Sequence, residues 1–215
     1  MGSSREKTAV AGGRQSAYVA RNRAALVSAG REILADIGPA ATIEEIIAHA
    51  QVSATTIYKY FESRDGFLGA AQISLWQEWE QSALESAKSV QDPLARFVTP
   101  LRLLIRVSTT HPQFAKALVH STSNPEFLIE HLSSNAEKEI KSLVKAGLLA
   151  PENLDGRYLL FCHAIVAIVK NSLKSTPTKL AESEKLLVIA LGLLGFSEAK
   201  VKKAIALNLE PAALN

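Results

Sequence analysis

The chain has 215 residues and a formal net charge of +3, from 24 Lys and Arg against 21 Asp and Glu. That length allows one or two domains whose core can fold without covalent staples, and a lone cysteine, Cys162, excludes an internal disulfide. The charge is too small to establish a nucleic-acid partner by itself. No apolar run approaches the ~18 residues of a membrane span, so a cytoplasmic protein with no membrane association is expected.

Residues 1–15, MGSSREKTAVAGGRQ, combine Gly, Ser and charge and read as a mobile basic arm. Arg5, Lys7, Arg14, Arg21, Arg23 and Arg31 oppose only Glu6 over this first part of the chain. That placement suits either a solvated tail or attraction to phosphates. Residues 17–37 follow as a first helix, with Leu26, Ala29, Ile33 and Ile37 along one stripe and Gly38-Pro39 as its stop.

Residues 42–61, TIEEIIAHAQVSATTIYKYF, predict two short helices joined by a tight turn. Ile43, Ile46, Ile47 and Ala50 lie at helical spacing on one face. Thr42 and Glu45 form a capping box, each side chain bonding the other's amide. Ser53 is the N-cap of the second helix, and Val52, Ile57 and Phe61 anchor it. Two helices about three residues apart, the second carrying small polar and hydroxyl groups, form a helix-turn-helix, whose second helix can enter a major groove. The start of that helix faces the groove, which singles out Ala54, Thr55, Thr56 and Lys59, with Ser53 beside them. Methyls of Ala and Thr can meet thymine methyls, and Lys59 can donate to guanine.

The residues Thr42-Ile43, Ile47-Ala48, Val52-Ser53, Ile57-Tyr58-Lys59-Tyr60-Phe61 and Ser63-Arg64 resemble the N-terminal signature of the TetR/AcrR family of transcriptional regulators. The resemblance implies an all-α fold. Its domains would be a helix-turn-helix DNA-binding domain of three helices at residues 16–62 and a helical ligand-binding and dimerisation domain at 63–215. It also implies a homodimer on a palindromic double-stranded DNA operator, acting most often as a repressor and released by a small-molecule effector. Thr42, Tyr58, Tyr60 and Arg64 would contact phosphates, which position without specifying; for Tyr58 and Tyr60 the alternative is packing, and for Arg64 a free surface charge. Two positions depart from the family. Gln51 stands where Gly is usual, so it is either left-handed or the turn is built differently. Glu44 is acidic where some members carry a basic or polar residue, and is left out of the site.

Beyond Phe61, Ser63 caps a long helix through Phe67, Leu75, Trp76 and Trp79 to about Ser89. Asp92-Pro93 opens a helix with Phe97, Leu101 and Leu104 on its apolar side, and Pro100 inside it either kinks it harmlessly or opens a cavity. His111-Pro112 and Asn124-Pro125 begin two further helices, the second ending at Gly147. Residues 154–175 and 179–195 have no polar face, so a second copy of the chain is a natural cover for them. In the resemblance, these two helices form the dimer interface. Residues 197–209 read as a short amphipathic tail helix.

An effector cavity in the second domain would draw on Trp76, Trp79, Phe97, Leu101, Phe114, Phe127 and Phe161, with His111, His120, His131 and His163 as polar contacts. The abundance of Leu, Ile, Val and Ala favours an apolar or amphipathic effector of unknown identity. The alternative is a protein of the same fold with no small-molecule effector, controlled by a protein partner. No nucleophile elbow, phosphate loop, zinc-ligand pair or cofactor motif is found, so neither an enzyme nor a metal or cofactor site is expected. Cys162-His163 point about 100° apart on a helix and cannot act as a couple. Cys162 reads as a small core hydrophobe.

Overall fold

The computed structural model of the chain describes residues 3–121, 136–173, 178–206 and 209. Among these residues every regular element is an α-helix. They are α1 (Ser3–Asp36), α2 (Ile43–Ala50), α3 (Ala54–Phe61), α4 (Arg64–Lys88), α5 (Pro93–Thr110), α6 (Pro112–Ser121), α7 (described over residues 136–145), α8 (Leu154–Leu173), α9 (Thr178–Leu193) and α10 (Glu198–Ile205). The chain divides into two compact units, Met1–Ser74 and Leu75–Asn215, and the division falls inside α4. By sequence the corresponding boundary lay at residues 62/63.

The first unit is built on α1 to α3 and the opening turns of α4. The first helix starts at Ser3 rather than near residue 17, taking in most of the stretch expected as an arm. No proline precedes Pro39, so nothing in the covalent chain forbids that extension. It stops as expected, with Gly38 at φ 97° and the amides of Ile37 and Gly38 both bonding the Ile33 carbonyl at 2.9 Å. Ile33, Ile46, Ile57 and Phe67 are fully buried in this unit. The Phe61 and Phe67 rings meet edge to face at 5.2 Å, and the Arg23 guanidinium covers Phe61 at 5.0 Å. Where α1 approaches α4, Gly30 leaves no room: a Cβ there would lie 2.8 Å from the Ala71 Cβ.

In the second unit α5 is central, touching α6, α8, α9 and α10, while α8 and α9 share the most extensive contact. The start of α5 is the one the sequence implies. Asp92 accepts from the Ala95 amide at 2.8 Å and Pro93 occupies the first helical turn. Leu104, Ile105, Leu118, Leu143, Ile165 and Leu187 are fully buried, each contributing about 1.5–3 kcal/mol by burial. Arg102 is 5% exposed on α5. Glu184 of α9 offsets its charge at 3.7 Å and also accepts from Arg106 Nε at 3.0 Å. Burial first, and then Arg106, pull the Arg102 guanidinium below the usual arginine value, with Glu184 opposing both. Among the described residues no helix is long and apolar enough to cross a membrane.

Candidate DNA interface and ligand cavity

The helix-turn-helix is fixed by local bonds. The Thr42 amide donates to Glu45 Oε2 at 2.7 Å, and the Glu45 amide donates to Thr42 Oγ1 at 3.2 Å, so both arms of the capping box are present. At the other end of α2, Gln51 has φ 52° and ψ 40°, a left-handed residue that turns the chain into Ser53. Of the two alternatives open for this turn, the left-handed one is found. Ser53 then accepts from the Thr56 amide at 3.2 Å, and its Oγ lies 2.9 Å from Thr56 Oγ1.

With Ile57 and Phe61 buried, helical geometry turns the rest of α3 outward. Thr42, Ser53, Thr55, Tyr58 and Lys59 are exposed, Tyr58 by 47%, while Ala54, Thr56 and Tyr60 are half-buried. The Tyr60 hydroxyl accepts from Asn22 at 3.3 Å, and the Lys59 ammonium lies 5.7 Å from the Tyr60 ring centre. Arg64 is engaged in a way that the sequence did not suggest. Its Nε donates to the Ala41 carbonyl at 2.6 Å, one terminal nitrogen donates to the Pro39 carbonyl, and the other pairs with Asp65. The guanidinium thus ties the start of α4 to the turn that launches α2. Ser63 Oγ accepts from the Gly66 amide at 2.9 Å, capping α4.

The second unit contains a cavity of about 270 Å³. Successive turns of α4 supply Trp79, Ala83 and Ala87; α5 supplies Phe97, Pro100 and Leu101; and α8 supplies Tyr158, Phe161, Cys162 and Ile165. The rings form one wall, with Phe161 5.9 Å from Phe97 and 6.3 Å from Tyr158, the latter pair stacked. Pro100 lies in the lining, and having no N–H it leaves the Arg96 carbonyl without the usual helical donor. Polar groups are few. Glu80, Lys88, Arg96 and Glu139 stand among the lining residues, and Arg96 Nε is 3.5 Å from Glu139 Oε2. Burial raises the Cys162 thiol above the ordinary cysteine value, although a hydrogen bond with Tyr158 works the other way, so the thiol is kept protonated.

Of the residues expected around an effector, Trp79, Phe97, Leu101 and Phe161 therefore lie at this cavity. Trp76 and Phe114 are buried without lining it; Trp76 instead packs edge to face on Trp79 at 5.5 Å. His163 is exposed, because one position along α8 from Cys162 turns the side chain away. His111 is half-buried and outside the lining. Phe127 and His131 lie outside the described residues, as does the His120 side chain. Sequence reasoning missed Tyr158 and Ile165 as wall residues, and Glu139 and Arg96 as the polar groups. Tyr158, Phe161, Cys162 and Ile165 do follow helical spacing on one face, but α8 is apolar almost all round and offers several such faces. Among the described residues no group of three or more His, Cys, Asp or Glu is placed to hold a metal ion.

Residues 26–71 match the family described as bacterial regulatory proteins, tetR family. Among solved structures, RolR in complex with its ligand resorcinol resembles this chain with a TM-score of 0.73 at 20% identity, over 92% of this chain and 100% of that one. A TetR-family transcriptional regulator from Pectobacterium atrosepticum does so with a TM-score of 0.64 at 16% identity, over 83% and 96%. One from Marinobacter aquaeolei VT8 gives 0.56 at 20% identity, over 84% and 96%. No curated protein matches the chain. At such identities the likeness is one of fold. Residues 26–71 are thus a TetR-family N-terminal domain, and the chain has the fold of the TetR-family transcriptional regulators.

Proposed function

We propose that this protein is a ligand-responsive transcriptional regulator, a cytoplasmic repressor that binds a palindromic operator as a homodimer and leaves it when a small effector occupies the second unit. The observation that carries this reading is the course of α4. It begins three residues after α3 ends, and its later turns line an apolar cavity through Trp79, Ala83 and Ala87. A ligand that favours one placement of α4 acts on the segment bonded directly to the groove-facing helix. The effect is limited by the ligand's differential affinity for the two conformations, typically ~1–3 kcal/mol of coupling. In this reading Thr55, Thr56 and Lys59 meet base edges, Thr42, Tyr58 and Tyr60 meet phosphates, and Arg64 holds the domain together. The solved relative RolR has resorcinol as its ligand, which agrees with a compact effector here. The homodimer rests on α8 and α9, where Leu159, Leu160, Ile189 and Leu193 are exposed, Leu160 by 58% and Ile189 by 66%.

The test is a gel-shift titration on duplexes selected from a random pool. A preferred palindrome, affinity that drops steeply with salt, and release by a compound that also raises the melting temperature are expected. A salt-insensitive protein with no preferred duplex would remove the regulator reading. A stabilising compound that leaves DNA affinity unchanged would favour the same fold acting without an effector, under a protein partner.

A further inference from the structure

The positive charge of the chain is concentrated at its start. Residues 1–25 precede Leu26, the first buried side chain among the described residues. They hold Arg5, Lys7, Arg14, Arg21 and Arg23 against Glu6, a net of +4. The whole chain carries +3, so the other 190 residues together carry −1. Residues 26–64, which contain the helix-turn-helix, are acidic on balance: Arg31, Lys59 and Arg64 stand against five Asp and Glu, a net of −2. Of those three cations Arg31 is half-buried, and Arg64 is held by Pro39, Ala41 and Asp65, which leaves Lys59 as the exposed one. DNA affinity is largely phosphate neutralisation, and a duplex carries one negative charge per ~1.7 Å. The groove-facing part of this unit therefore lacks the cations that its partner demands, and the stretch before it has them.

That stretch adjoins the candidate DNA face. Asn22 of α1 donates to the Tyr60 hydroxyl at 3.3 Å, and Arg23 covers Phe61, so this turn of α1 lies against the end of α3. From there the helix runs back to Ser3. Residues 15–21 are all exposed, Tyr18 by 58%, which leaves this part of α1 open to a partner. Lys7, Arg14 and Arg21 recur every seventh residue, an interval of nearly two turns that returns to the same side of a helix.

We infer that Arg5, Lys7, Arg14 and Arg21 form a phosphate-binding strip beside the groove-facing helix and supply most of the salt-dependent affinity for DNA. Phosphate contacts position without specifying, so the strip holds the duplex and leaves base choice to α3. Arg23, engaged with Phe61, is outside it. This rests on the DNA-binding reading given above.

The test compares the full chain with a variant carrying Arg5→Gln, Lys7→Gln, Arg14→Gln and Arg21→Gln, and with one carrying Arg5→Lys, Arg14→Lys and Arg21→Lys. Binding to the preferred duplex and to an unrelated one is titrated between about 0.05 and 0.3 M salt, where each phosphate contact adds about 0.9 to the slope of log affinity against log salt. The Gln variant should lose at least half of the parent slope. Its affinity at about 0.1 M salt should fall at least tenfold for both duplexes, with their ratio within threefold of the parent's. The Lys variant should keep the parent slope. Melting temperature reports that each variant is folded; should the Gln variant not fold, a chain beginning at Gln15 lacks three of the four cations and reads the same slope.

A slope unmoved in the folded variant, a changed duplex ratio at constant slope, or an equal loss in the Lys variant would each overturn the inference. The parent separates it from the reading beneath. A preferred palindrome whose salt slope survives in the Gln variant would remove the strip alone. A parent without a preferred duplex, but with a slope that falls in the Gln variant, would keep the strip and remove the sequence-specific regulator.

Discussion

At the scale of single residues, the turn of the helix-turn-helix depends on a left-handed, exposed glutamine. Gln51 at φ 52° bears the steric cost of an L-residue in that region, about 1–2 kcal/mol, which Gly would avoid. Gly would in turn lose about 0.5–1 kcal/mol through unfolded-state entropy. Gln51→Gly should therefore stabilise the protein by about 0.5–1 kcal/mol, read as a higher urea midpoint at unchanged slope. On the proposed DNA face, residues of one helix should differ in kind. Lys59→Ala is expected to alter the preferred bases in a selection experiment, whereas Tyr58→Phe removes one hydroxyl and should lower affinity for all duplexes by a similar factor. Identical effects of the two changes across a panel of duplexes would contradict this division. Arg64, a phosphate contact in the resemblance, also has a structural part. Its donors are taken up by Pro39, Ala41 and Asp65, which makes it a brace for the turn before α2.

At the scale of elements, two glycines discriminate between packing and propensity. Gly30 in α1 faces α4 so closely that an added Cβ would sit 2.8 Å from the Ala71 Cβ and 3.0 Å from Phe67. Gly69 in α4 has nothing within 4 Å of the same added atom. Both changes to Ala gain about 1 kcal/mol of helix propensity. At Gly30 overpacking of about 1–3 kcal/mol opposes that gain. Gly69→Ala should raise the melting temperature and Gly30→Ala should lower it or leave it level. A rise at both positions would mean that α1 and α4 have slack that the close approach does not suggest. The cavity belongs to this scale too. Its walls come from single faces of α4, α5 and α8, with Ala136 and Glu139 of α7 beside them.

At the scale of the whole molecule, Leu159 and Leu160 of α8 and Ile189 and Leu193 of α9 are exposed apolar side chains. The proposed cover is a second copy. An isologous dimer places the same residues opposite one another, so a single charge introduced at its centre acts twice. Ile189→Glu is expected to convert a dimer to a monomer in sedimentation at micromolar concentration, with the helical spectrum retained and affinity for a palindrome lost. A variant that remains dimeric would move the interface elsewhere.

The sequence by itself determined several helix ends, though not the start of α1, because caps, prolines and glycines act over four or five residues. The Thr42–Glu45 capping box, the Asp92-Pro93 start and the Gly38 stop were all legible in that way. It also determined which face of α3 is buried, since Ile57 and Phe61 leave only one solution for a short amphipathic helix. Tertiary structure alone decided the rest. The α8 helix is apolar nearly all round, so periodicity could not say that Tyr158 and Cys162 line a cavity while His163 and Leu160 face outward. Nor could spacing reveal that Arg64 reaches carbonyls some twenty residues earlier, or that the Trp79 indole nitrogen lies buried without a hydrogen-bond partner. Those facts depend on which side chains three dimensions bring together, and hydrophobic burial, being non-directional, leaves that choice to the packing of the whole.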